Sequence, residues 1–181
     1  YNVTVCNRSD EKSKLWVKEY TGTYSNSLKE AVTDSDIVFS CVGNDSDLRS
    51  ITLGTNKAFS AMKAGSVFVD HTTTSSDIAV ELFEKAKEHN INFLDAPVSG
   101  GEVGAVKGEL TVMIGGERSV FDEIKTIIAA YAKNITLIGG PGKGQLSKMV
   151  NQICIAGLIQ ALSEAISFSE KSGLDTKNVL D

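Results

Sequence analysis

Short apolar, β-branched runs alternate along the chain with stretches whose apolar positions recur every three or four residues. Residues 3–6, 37–42, 66–70, 91–94, 110–114 and 135–138 read as strands. Residues 11–20, 28–32, 47–62 (with a break near Gly54) and 77–89 fit helical spacing, and 119–132 places Val120, Phe121, Ile124, Ile127 and Ile128 on one side. Strand and helix in alternation predict an α/β protein built on a parallel sheet. Two stretches depart from this rhythm. Residues 94–110 show no helical pattern and carry Pro97 with Gly100, Gly101, Gly104 and Gly108, a long connection of the kind that is functional when ordered. From Gln145 the pattern becomes one long helix reaching about Ser172, apolar nearly all round its middle, which predicts burial between domains or subunits. Ser172-Gly173-Leu174-Asp175-Thr176 then reads as a helix stop followed by a fresh N-cap. The division expected is a domain over 1–142 and, over 143–181, the long helix with the start of a helical domain.

Composition narrows the function classes. A chain of 181 residues with 41% apolar content can bury one substantial core. Its net charge of −5 comes from interspersed acidic and basic residues with no basic run, which disfavours nucleic acid as a partner. Cys6, Cys41 and Cys154 are odd in number and lack a CxxC spacing, so they read as reduced thiols packed in the core. His71 and His89 are too few and too far apart for a zinc site, and no metal is expected. The most apolar run, 153–162, is interrupted by Gly157 and Gln160 and falls short of the roughly 20 residues of a membrane span. No targeting segment is readable ahead of the strand-like start at Tyr1, so the expected location is cytoplasmic, with a mitochondrial one left open.

In open parallel sheets, ligands gather at the carboxyl ends of the strands. Those ends here are polar or glycine-containing: Asn7-Arg8-Ser9, Gly43-Asn44-Asp45 after Val42, His71-Thr72-Thr73-Thr74, and Pro97-Val98-Ser99-Gly100-Gly101. Asn7 and Arg8 stand where a dinucleotide-binding fold chooses its cofactor. An arginine there pairs with a 2′-phosphate, favouring NADP(H), while an ordinary surface arginine would leave NAD(H) open. Thr72, Thr73 and Thr74 either finish a strand or reach a nicotinamide. His71 reads as a loop or packing residue, and Asp70 and Asp95 as turn stabilisers rather than bases. Ser99, Gly100 and Gly101 form either an inert turn or a cradle of N–H groups for an anion. Lys148 and Asn151 are three apart on the long helix and share a face, close to apolar Leu146, Met149, Val150 and Ile153. A lysine partly withdrawn from water there suits acid–base work, and a cation near a helix N-terminus needs a reason to be there. Lys143, in the glycine turn, reads as solvated.

At these residues the chain resembles the β-hydroxyacid dehydrogenase family, which includes 3-hydroxyisobutyrate dehydrogenase, tartronate semialdehyde reductase and glyoxylate or succinic semialdehyde reductases. The resemblance covers essentially the whole chain. Asp95 to Gly101 with Gly104-Ala105 is similar to the family's substrate-binding motif. Gly142-Lys143-Gly144 through Lys148 and Asn151 is similar to its catalytic Gly-x-Gly-x-x-x-Lys-x-x-Asn pattern. The resemblance implies a Rossmann-like, mostly parallel sheet followed by a long interdomain helix. It implies a short-chain hydroxyacid or semialdehyde substrate whose carboxylate is held by Ser99, Gly100 and Gly101. Lys148 becomes the general acid/base, Asn151 orients the substrate, and Thr73 with the Val42-Gly43 turn lies against the cofactor.

The family also begins with a strand and a Gly-x-Gly-x-x-Gly turn for the cofactor pyrophosphate, and no such turn occurs within residues 1–181. The chain is therefore expected to be part of a longer enzyme, its sheet lacking the first strand. That enzyme is expected to be a homo-oligomer through the long helix and the rest of its helical domain. A 6-phosphogluconate dehydrogenase is a further reading, weakened by Asn151-Gln152 where that family has His-Asn. A non-catalytic NADP-binding scaffold is another, weakened by the presence of Lys148.

Overall fold

The computed structural model of the chain describes residues 1–55 and 57–180. β1 (Thr4–Val5), α1 (Asp10–Glu19) and β2 (Thr23–Tyr24) form a small N-terminal unit whose two strands pair in parallel. α2 (Leu28–Thr33) leads to β3 (Ile37–Ser40), α3 (Asp45–Thr52), α4 (Ala58–Ala61), β4 (Val67–Asp70), α5 (Ser76–Glu88) and β5 (Asn92–Asp95). Then follow β6 (Val98–Ser99), α6 (Gly101–Lys107), β7 (Leu110–Gly115), α7 (Arg118–Ile128), β8 (Ala132–Gly139), α8 (Lys143–Lys171) and α9 (Thr176–Leu180).

β3, β4 and β5 are parallel neighbours in register, Ile37 beside Val67 and Val67 beside Asn92. Their side chains alternate between two cores, as the pleat requires. Phe68 and Phe93 join Phe59, Leu48, Ile78 and Leu82 on one face, while Val67, Val69 and Leu94 join Ile114, Ile124 and Ile128 on the other. Helices therefore cover both faces, which explains near-continuous apolar strands such as Val67-Phe68-Val69. Phe59 meets Phe68 edge-on at 5.4 Å between ring centres, and Phe68 stacks on Phe93 at 5.9 Å. Such pairs add about 0.5–1.5 kcal/mol each beyond the area they bury. α5 shows how the sequence builds one of the covering helices. Ser75 accepts a hydrogen bond from the Ile78 N–H, Ile78, Ala79, Leu82, Phe83 and Ala86 turn inward, and Asn90 at φ 55° ends the helix.

The sheet is Rossmann-like but mixed rather than wholly parallel. β7 runs antiparallel to β5 and β6, with Asp95 beside Gly115 and Val98 beside Val112, and β8 runs parallel to β7. The chain turns back through α6, a helix within the stretch expected to have none. Positive φ at Gly100, Gly101 and Gly108 makes its two ends, and Val103 and Val106 are exposed, so α6 buries no apolar stripe for a periodicity to reveal. β2 and β6, two residues each, were too short to announce themselves. The helix expected over 119–132 stops at Ile128, and β8 begins at Ala132, opposite Leu110. The run 47–62 is two helices, α3 beginning at Asp45 under an Asn44 cap, and residue 56 of that run lies outside the described residues, as does Asp181.

One expectation about burial is overturned. Cys6, Cys41 and Cys154 are all free and exposed, since they lie just beyond β1, just beyond the edge strand β3, and on the open side of α8. α8, expected to be buried between domains or subunits, is largely uncovered within this chain. Its buried residues are Gly144, Gln145, Lys148 and Ser169, while Ile153 is 72% exposed and Leu158 69%, because among the described residues no other element lies along its middle. At 29 residues, α8 is long and apolar enough by length and composition to cross a membrane, a length the run 153–162 alone does not reveal.

The first turn of α8 sits directly on β5 and β7. A Cβ at Gly144 would come within 2.5 Å of the Met113 carbonyl oxygen and 2.8 Å of the Asp95 carbonyl oxygen, both fixed backbone atoms. Gly144→Ala is expected to destabilise the chain by about 2–3 kcal/mol through overpacking. Urea denaturation followed by circular dichroism measures it, and an unchanged midpoint would refute this account of the close approach.

Candidate active site

The strand ends meet the start of α8, and two polar side chains, Asp95 and Gln145, make the junction. Asp95, at the end of β5, accepts hydrogen bonds from the backbone N–H groups of Gly142 (2.8 Å) and Gln145 (2.9 Å). It thereby caps a helix whose own N-cap residue, Gly142, has no side chain to do so. Burial raises the Asp95 pKa, and those N–H groups oppose the rise. Gln145 is fully buried. Its Nε2 donates to the Thr72 carbonyl at 2.7 Å and its Oε1 accepts from the Thr74 N–H at 3.1 Å. Lys148 follows three residues later on the same side of the helix and is 8% exposed. Asn151 lies a further three residues on, half-buried, and its Nδ2 is a buried donor with no partner among the described residues. A buried amide without a partner costs about 1–3 kcal/mol, so the site carries a donor that a bound group can satisfy.

A second network joins β3 and β4. Asp70 Oδ1 accepts from the Ser40 and Thr72 hydroxyls, both at 2.6 Å, and the Thr72 hydroxyl accepts from the Val42 N–H at 3.0 Å. Asp70 is 1% exposed and its Oδ2 has no partner among the described residues. Burial pushes its pKa up to about 6 against the hydroxyl donors, and the Asp95 charge adds to the rise. The next turn is tied in the same way, Asp45 accepting from the Ser75 hydroxyl and N–H. Together these bonds set Gly43 and Thr73, both exposed, on neighbouring strand ends.

His71 is occupied by structure. The Ala96 carbonyl can only accept, so Nδ1 carries the proton at 2.6 Å from it. Burial lowers the ring's pKa, leaving Nε2 to accept from the Tyr131 hydroxyl at 2.8 Å. Stacking on Phe39 at 5.8 Å completes a packing role.

The other candidates are placed as follows. Ser99 is half-buried in β6 beside Thr111, and Gly100 and Gly101 are exposed where α6 begins. β6 and α8 both adjoin β7, but among the described residues no hydrogen bond joins Ser99, Gly100 or Gly101 to α8. Asn7 and Arg8 are exposed beyond β1, and among the described residues no hydrogen bond links 1–24 to the larger sheet. Two cavities of about 270 and 260 Å³ lie away from the strand ends, beside Asp36 and Lys63 and beside Glu11 and Lys18. Sequence reasoning passed over Gln145 and Ser40, and a polar residue three before Lys148 on an inward face was the available signal.

A dinucleotide fits part of this arrangement. Exposed Thr73 and the Val42-Gly43 turn suit a nicotinamide end, and Arg8 suits a 2′-phosphate. The N-terminus of α3 does not suit the pyrophosphate, since Asp45 and Asp47 stand in its first turn.

Residues 1–139 match the family described as the NAD binding domain of 6-phosphogluconate dehydrogenase. Residues 142–181 match the NAD-binding segment of NADP-dependent 3-hydroxyisobutyrate dehydrogenase. An uncharacterised oxidoreductase of Shewanella frigidimarina is 49% identical over the whole chain, which covers 62% of that protein. The 2-hydroxy-3-oxopropionate reductase of Escherichia coli is 38% identical over 87% of the chain and 54% of its own length. A solved structure of Mycobacterium tuberculosis 3-hydroxyisobutyrate dehydrogenase with L-serine superposes with a TM-score of 0.88 at 28% identity, over 97% of this chain and 59% of that one. The chain thus spans between 54% and 62% of the length of these three proteins.

The raised Asp70 pKa has a consequence for stability. Between about pH 4 and pH 6 the folded state holds a proton on Asp70 that the unfolded state has released, so this group's contribution to stability falls as pH rises through that window and is level above it. Asp70→Asn keeps an acceptor for Ser40 and Thr72 and cannot ionise. Relative to that variant, the wild type is expected to lose up to about 3 kcal/mol between pH 4 and pH 7, read from urea midpoints across the range. Parallel pH curves for the two proteins would rule this out.

Proposed function

The chain belongs to the NAD-binding family of 6-phosphogluconate and 3-hydroxyisobutyrate dehydrogenases, and from that footing we propose that it works in an NAD(P)-dependent oxidoreductase interconverting a short-chain 3-hydroxyacid and its semialdehyde. The observation that carries the reading is Lys148: a lysine 8% exposed, on a helix face whose neighbouring polar residues bind the ends of the sheet.

NADP(H), when bound, supplies or accepts the hydride. The chain's own residues then have separate tasks. Lys148 delivers a proton to the substrate oxygen in reduction and removes it in oxidation. Asn151, through its unpartnered Nδ2, donates a hydrogen bond to a substrate oxygen and fixes the reacting carbon. Ser99, with the backbone N–H groups at Gly100 and Gly101, holds the substrate carboxylate, the glycines adopting the positive φ of this turn because they lack a Cβ. Thr73 and the Val42-Gly43 turn line the nicotinamide side. Arg8, flanked by Asn7, selects NADP(H) over NAD(H) by pairing with the 2′-phosphate. The uncovered apolar side of α8 is closed by other parts of the protein and by a second copy, making the enzyme a homo-oligomer.

In the full-length protein, Lys148→Ala is expected to lower the rate of semialdehyde reduction at least about a hundredfold with cofactor affinity nearly unchanged. Steady-state kinetics together with cofactor titration by fluorescence decide it, and a normal rate removes Lys148 from the mechanism. Arg8→Ala is expected to shrink the ratio of kcat/KM for NADPH over NADH by about tenfold or more. An unaltered ratio ends the 2′-phosphate assignment.

A further inference from the structure

We propose that Gln145 is a positioning residue that sets Lys148 against the loop 72–74, an inference that rests on Lys148 being the proton donor. Gln145 uses both polar atoms of its side chain on the backbone of one short segment, Nε2 on the Thr72 carbonyl and Oε1 on the Thr74 N–H. Its own N–H is held by Asp95 Oδ2. One fully buried residue therefore joins β5, the loop after β4 and the first turn of α8.

An apolar side chain of similar volume would also press α8 against the sheet, without a buried amide to satisfy. What the amide adds is direction. Two bonds of fixed geometry set the rotation of α8 about its own axis and the place of the loop along it, which packing alone leaves free to slip. Both partners flank Thr73, the exposed residue of the loop, so that residue is held on either side by the same side chain. Lys148 is three residues further along the face that carries Gln145, and Asn151 three beyond that. The loop that meets the cofactor and the lysine that meets the substrate thus share one fixed point.

The test is Gln145→Met in the full-length protein, alone and combined with Lys148→Ala. Met fills the space but leaves the Thr72 carbonyl and the Thr74 N–H without partners. Expected results are a kcat for semialdehyde reduction lower by about 10- to 100-fold with a substrate KM changed less than about threefold. Amide hydrogen exchange at Thr74 should be at least about tenfold faster in the cofactor-free protein. In the Lys148→Ala background, the same substitution should cost less than about twofold, because Gln145 acts through a lysine that is no longer there.

A folded Gln145→Met protein with kcat within twofold of wild type overturns the proposal. So does an equal fold-loss in both backgrounds, which would mark a general structural effect. Should the Met variant not fold, Gln145→Asn, too short to reach both partners, is measured in the same way against the same limits. A wild-type rate in Lys148→Ala alone brings down the acid–base reading, and the exchange rate at Thr74 then still decides whether Gln145 clamps the loop.

Discussion

The carboxylate of Asp95 is the constraint on which the rest of the site depends. A 29-residue helix presents unpaired N–H groups at its start, and here those groups point into the protein interior at the ends of β5 and β7. Two of them end on Asp95, and the helix can approach close enough for this because Gly144 and Gly115 leave no side chain in the gap. A charge buried at this depth is costly on its own, and the helix start is the partner that makes it tolerable. Removing either side would leave the other without its compensation. Everything placed by α8, including Gln145, Lys148 and Asn151, inherits its register from this contact.

Asp70 performs a related task one strand away with different partners. Its donors are hydroxyls rather than backbone N–H groups, and one of its oxygens has no partner among the described residues. The two buried carboxylates lie on adjacent strands in register, Asp70 beside Asp95. Asp95 faces a helix terminus and Asp70 faces loop hydroxyls. The strand ends are consequently stitched in sequence, β3 to β4 through Thr72 and Asp70, then β4 to α8 through Gln145, then α8 to β5 through Asp95.

What could be read from the sequence was what local pattern or a contiguous motif encodes. The apolar runs of β3, β4, β5 and β7 and the stripe of α7 announced themselves, as did the pairing of Lys148 with Asn151 at helical spacing. Contacts that close over long separations left no local trace. Asp95 reads as a turn residue because its N–H partners lie 47 and 50 residues later, and Gln145 reads only as the start of a helix because its side-chain partners lie 71 and 73 residues earlier. α6 escaped because a helix with exposed Val103 and Val106 has no buried stripe. The thiols were misplaced for a related reason. Apolar neighbours in sequence indicate a core only when the element is covered on that side, and β1, the end of β3 and the outer side of α8 are not.

α8 is held to the sheet by its first turns, and among the described residues little else covers its length, so its direction is set at one end. At 1.5 Å per residue, Lys148 stands about 7 Å from the fixed end and Lys171 about 42 Å from it. A tilt of about 10° would therefore sweep the far end through roughly 7 Å while moving Lys148 by little more than about 1 Å. The register that the first turn fixes therefore matters most for what packs along the distal half, while the lysine beside the sheet is placed almost regardless of the helix's direction.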